Sequence, residues 1–134
     1  MFTRHYNFFT FTAVICFILL AIACSPAAEP QAQNLPDPLE AGWKGESVCE
    51  VLQEDASIRM LRCVFPPGVG HERHYHSKHI GYTIAGAKMQ ITDSKGTRVL
   101  DVKSGGSFSS DGVAWHEVLN LGETTGEFLI IEYK

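Results

Sequence analysis

Residues 68–86 read GVGHERHYHSKHIGYTIAG, a stretch that opens on the turn Pro66-Pro67-Gly68 and closes on Gly86. Of the six histidines in the chain, four lie here (His71, His74, His76 and His79), while His116 is far along the sequence and His5 is near the start. Side chains two apart on a strand share a face, so His74 and His76 present two imidazoles to one side. Ligand distances of about 2.0–2.2 Å then allow both to meet one ion, with a distant strand closing the site.

From Glu46 onward the chain is a series of β-branched and aromatic runs separated by turn residues. The pattern predicts strands at 48–53, 58–65, 79–85, 88–93, 97–102, 106–110, 117–121 and 127–133. Short, evenly spaced strands without helical periodicity predict an all-β domain over 46–134, a single antiparallel β-barrel or sandwich. No internal repeat is visible, so one barrel is expected. Glu54-Asp55-Ala56-Ser57 is a polar turn, and folding about Ala56 sets Cys49 opposite Cys63. Opposed Cβ atoms lie about 4.5–5.5 Å apart and a disulfide needs about 3.5–4.5 Å. A disulfide and two buried thiols both remain open.

The first residues read as a targeting segment. Arg4 precedes an apolar run, Phe8 to Ala23, which is shorter than the roughly 20 residues a spanning helix needs and suits a signal peptide over 1–23. The run ends in Ala21-Ile22-Ala23-Cys24. This resembles the lipobox of bacterial lipoproteins, with Cys24 as the lipidated residue, although the large aliphatic residue usual three places earlier is replaced by Ala21. Ordinary cleavage after Ala23 is the alternative. Residues 24–45, with Pro26, Pro30 and Pro36 in their first part, read as a tether and lead-in. The expected location is therefore exported, periplasmic or at the cell surface, with the membrane met through a lipid anchor only.

Charge narrows the partners. A formal net charge of −4 without a cluster of Lys and Arg argues against nucleic acid. No G-x-S-x-G, P-loop or Rossmann glycine pattern occurs.

The histidine stretch resembles the first motif of the cupin superfamily: glycine, five residues, His-x-His, a glutamate, and a closing glycine. Gly68, His74, His76 and Gly86 take those places, and His79 stands where the glutamate belongs. The second motif is matched by Gly105, His116 and Asn120, with Asp111 and Val113 in place of its proline and second glycine. The likeness spans 48–133 and implies a small single-domain cupin, a jelly-roll or double-stranded β-helix.

In metal-binding cupins these positions are ligands. The resemblance thus implies His74, His76 and His116, with His79 as a fourth, around one divalent transition metal. Imidazole suits Fe, Ni, Cu or Zn. Three-histidine sites of this kind resemble those of thiol and diketone dioxygenases, so a metal-dependent (Fe-type) oxidoreductase acting on a small molecule is expected. The alternative is a non-catalytic cupin that holds a metal or small ligand; a metal-free barrel with incidental histidines ranks last. A homodimer is expected by resemblance only. His71 is read as a loop residue, Glu72 and Glu117 as surface carboxylates, Arg73 as solvated, and Trp43 and Trp115 as packing residues. Gly81 and Thr83, small and inward-facing, are expected to leave room for a ligand unless Gly81 only marks a bulge.

Overall fold

Asp37 caps a single helical turn, α1 (Pro38–Ala41), in the computed structural model, which describes residues 35–134. The expected signal peptide, Cys24 and the start of the tether lie outside the described residues. The Asp37 carboxylate accepts from the Leu39 and Glu40 amides at 2.8 and 3.1 Å, and Glu40 returns the bond to the Asp37 amide, a capping box with Pro38 preset for the first turn.

Nine strands follow among the described residues: β1 (Cys49–Glu54), β2 (Ile58–Phe65), β3 (Gly70–His76), β4 (His79–Ala85), β5 (Lys88–Asp93), β6 (Gly96–Asp101), β7 (Ser107–Ser110), β8 (Val113–Asn120) and β9 (Gly126–Tyr133). They form a five-stranded sheet, β1-β2-β9-β4-β7, and a four-stranded sheet, β3-β8-β5-β6, with every pairing antiparallel. The expected all-β antiparallel architecture is what the chain adopts. The strand missing from the sequence pattern is β3. Its buried positions are Gly70, His71, His74 and His76, so it carries no apolar alternation to read. For the same reason β8 starts at Val113, earlier than the expected 117.

The two sheets face each other across an apolar floor of Leu61, Cys63, Phe65, Met89, Phe128 and Ile130. On β9 strict alternation turns Phe128, Ile130 and Glu132 inward. Beyond the floor the sandwich encloses a cavity of about 600 Å³. At the opposite edge, Cys49 pairs with Cys63 in register and the two are joined by a disulfide.

The lead-in expected as a tether over 24–45 is packed on the domain in its described part. The Tyr75 amide donates to the Pro36 carbonyl at 3.3 Å and the Glu72 amide to the Gly42 carbonyl at 2.9 Å. The Trp43 ring lies against Gly70, where a Cβ would come within 2.7 Å of a ring carbon. Glycine at 70 is what lets the indole seat on β3.

Candidate metal centre

Two irregularities in the β3–β8 pairing build the site. His71 pairs with Val118, His74 with His116, and His76 with Val113, so an extra residue sits on β3 between the first two pairs and on β8 between the last two. With strict alternation His71 would face away from His74 and His76. The bulge between them turns all three inward, and their exposures are 2%, 0% and 7%. His71 is therefore corrected from a loop residue to a buried strand residue. Its Nε2–H donates to the Pro38 carbonyl at 2.9 Å, and its ring stacks on that of His74 at 3.7 Å between centroids.

The ring nitrogens of His74, His76 and His116 gather within 4.8 Å of one another. Each anchored ring shows the orientation expected of a ligand. His74 Nδ1 lies 2.6 Å from the Glu72 carbonyl, which can only accept, so Nδ1 carries the hydrogen. His76 Nδ1 lies 2.7 Å from the Glu132 carboxylate, which fixes the same tautomer. Both Nε2 atoms then bear lone pairs, and they face each other at 3.0 Å. His116 Nε2 approaches His74 Nε2 at 2.9 Å and can donate to it, but it cannot satisfy both acceptors at once. Between His74 and His76 either a cation or a proton would satisfy both nitrogens.

Burial keeps His71, His74 and His116 neutral. It lowers the pKa of His74 to about 2, helped by neighbouring His71 and His116, and that of His116 to about 3, helped by His76. His71 is held at about 4 for the same reason, against the raising influence of the Pro38 carbonyl. A neutral imidazole is the form that binds metal, so at neutral pH no proton has to leave these rings first.

Glu132 was not singled out from the sequence. It is 3% exposed, and Arg59 grips its second oxygen through Nε at 3.0 Å and Nη2 at 2.6 Å. Arg59 in turn donates from Nη1 to Asp37 at 2.7 Å. Burial works to raise the Glu132 pKa, but the hydrogen bonds from His76 and Arg59 outweigh it and hold the carboxyl below its ordinary value. A line thus runs from the helix cap, Asp37–Arg59–Glu132–His76, into the cluster. The available signal was the alternation Phe128-Ile130-Glu132, which sets a carboxylate on the core face of a strand.

His79 adjoins the three without belonging to the group within 4.8 Å. It lies on β4, in the opposite sheet, with Nδ1 2.8 Å from the Ser77 carbonyl. It is 4% exposed, and its ring centroid is 4.8 Å from that of His76. The other expectations sort as follows. Glu72 is exposed and accepts from the Lys44 amide; Glu117 pairs with Arg73 at 2.8 Å with both side chains more than 40% exposed. Arg73 also stacks on Trp115 at 3.9 Å. Thr83 is buried beside the cavity floor, but the room expected at Gly81 is taken by Phe108. Its ring, on the partner residue of β7, occupies the space a Cβ would fill.

No protein-family model matches the chain, and no curated protein matches it. Solved structures do. A cupin domain from Bordetella pertussis Tohama I superimposes with a TM-score of 0.61 at 22% identity, over 65% of this chain and 92% of that one. The polyketide cyclase RemF from Streptomyces resistomycificus gives 0.57 at 15% identity, over 79% and 78%. An RmlC-like cupin family protein with a double-stranded β-helix fold from Methanocaldococcus jannaschii gives 0.53 at 18%, over 64% and 78%. At these identities the likeness is one of fold, and it agrees with the two antiparallel sheets closing over buried histidines: the chain has the cupin fold, a double-stranded β-helix sandwich.

Proposed function

We propose that His74, His76 and His116 hold one divalent transition metal, and that the protein is a dioxygenase-like oxidoreductase acting on a small organic molecule admitted to the cavity. The observation that carries this reading is the gathering of one ring nitrogen each from His74, His76 and His116 within 4.8 Å, with the Nε2 atoms of His74 and His76 3.0 Å apart. Ligand distances of about 2.1 Å allow two imidazole nitrogens at that separation to share one ion. An all-imidazole set favours Fe, Ni, Cu or Zn and leaves the ion its full charge. When bound, such a metal supplies Lewis-acid or oxygen chemistry at its open positions. The chain supplies orientation through Glu132 and the Glu72 carbonyl. His79, the fourth ligand implied by the resemblance, adjoins His76, with ring centroids 4.8 Å apart.

The test is metal content by mass spectrometry of untagged protein, beside His74→Ala and His116→Ala. The expected result is near-stoichiometric metal in the wild type and roughly none in either variant. Folded wild type that takes up no Fe, Ni, Cu or Zn under loading removes the proposal. The competing reading, a metal or ligand holder without turnover, draws support from the carboxylate bonded to the cluster: Glu132 is held by His76 and Arg59 and is not free to move a proton. Oxygen uptake by the metal-loaded protein with aromatic acids separates the two.

We also propose that the protein is exported and lipid-anchored through Cys24. The disulfide supports this, since such bonds persist in oxidising compartments. Cys24→Ser is expected to move the protein from the membrane fraction to the soluble fraction; a wild type already soluble sinks the anchor.

A further inference from the structure

The cavity is apolar on most of its wall, but one strand sets a cation at its open rim, Arg98, whose side chain is 44% exposed. In the β5–β6 hairpin Ile91 pairs with Arg98 and Met89 with Leu100, so Arg98 and Leu100 share the face that lines the cavity. The Arg98 guanidinium donates from Nη1 to Asp93 at 2.8 Å, which leaves the edge formed by Nε and Nη2 without a protein acceptor among the described residues. Asp93 is itself satisfied on its other oxygen by the Lys95 amide at 2.9 Å. The charged side chains lining the cavity are Asp93, Lys95 and Arg98. Two cations against one carboxylate give this space a positive balance in a chain whose formal net charge is −4.

Position matters as much as charge. β6 ends the four-stranded sheet, so the cavity meets solvent on that side. From β6 to β8, the strand of His116, is two strand spacings, roughly 10 Å. A planar carboxylate seated on the Nε–Nη2 edge would receive two parallel hydrogen bonds. Its apolar body, a short chain or one aromatic ring long, would then lie over Phe65, Phe128 and Met89 and reach the histidines.

We infer that the cavity binds a small organic acid, with its carboxylate on Arg98 and its apolar body against the floor. The inference uses the proposed function only for what happens to the acid afterwards; binding itself needs no metal. The experiment therefore uses protein stripped with chelator, so that no carboxylate can be captured by a metal. The probes are 3-phenylpropanoate and its uncharged isostere 3-phenylpropanamide, followed by calorimetry and by fluorescence, since Trp115 lines the cavity.

The acid is expected to bind at least about 10-fold more tightly than the amide, in line with a charge-assisted hydrogen bond. Arg98→Gln is expected to bring the acid down to the amide's level with the circular dichroism unchanged, while Lys95→Gln keeps most of the preference. Equal binding of acid and amide by the wild type overturns the inference. So does a preference that survives Arg98→Gln, or one that is lost with Lys95→Gln instead. Metal uptake on reloading the stripped protein separates the two proposals. Stripped protein that discriminates acid from amide but takes up no metal on reloading refutes the metal reading alone; stripped protein that does not discriminate but takes up metal on reloading refutes this one alone.

Discussion

Glu132→Ala is expected to weaken metal binding by roughly 10–100-fold, the usual cost of removing the hydrogen-bond partner of a ligating histidine. Two consequences follow from one lost carboxylate. His76 loses the acceptor at 2.7 Å that fixes its Nδ1–H tautomer, so its Nε2 lone pair is no longer committed to the cluster. Arg59, with a side chain 17% exposed, keeps only Asp37 as a partner and becomes a part-buried, under-compensated charge. Breaking a buried pair in this way costs about 3 kcal/mol of stability. Glu132→Gln separates the effects: its amide oxygen can still accept from His76, so metal affinity should recover in large part while the Arg59 pairing stays weakened. Chelator competition and denaturant unfolding measure the two quantities. Metal affinity unchanged in Glu132→Ala would mean that the carboxylate serves Arg59 alone and does not orient His76.

How much of this was legible in the sequence depends on whether period-two alternation held. It held on β4 and β9, and those strands were read close to their true limits. It failed on β3, where a bulge between His71 and His74 turns His71 to the side that His74 and His76 share by ordinary alternation. A bulge depends on how the partner strand pairs, and a single strand's sequence does not encode that. The three clustered histidines were nevertheless found, because His74-x-His76 does not cross the first slip and His116 came from the motif likeness. His71 does cross it and was set aside. Glu132 was missed for a different reason: an acid near the end of an apolar strand reads as solvent-exposed unless Arg59, far away in sequence, is known to meet it. The same holds for Asp37, whose role appears only once the lead-in folds back on β3. Gly81 shows the converse. Small size was read as free space, and the neighbouring strand filled it with Phe108.

Removing the disulfide with Cys49→Ser and Cys63→Ser together should lower stability by roughly 3 kcal/mol, the loop-entropy value for a closed loop of about 15 residues; the sequence separation is 14. For a domain near 100 residues that corresponds to a fall in melting temperature of about 12–24 °C. The loss should be local before it is global. β1 is an edge strand, and Cys49 is its one buried residue. Its ion pair Glu50–Arg62, with side chains 60% and 40% exposed, contributes little. Without the bridge, β1 keeps its backbone ladder to β2 but loses its attachment to the core, so amide exchange in Cys49–Glu54 should accelerate well beyond that in β2 or β9. The histidine cluster is built from β3 and β8 in the other sheet, and its metal content should therefore survive the double substitution. Thermal unfolding, hydrogen exchange and metal analysis on one preparation test all three statements. A melting temperature within about 3 °C of wild type would show that the bridge closes a loop already restricted in the unfolded chain. Metal loss with β1 exchange unchanged would show that the disulfide acts through Cys63 on the cavity wall, and the separation of the two sheets into a stapled edge and a histidine wall would have to be abandoned.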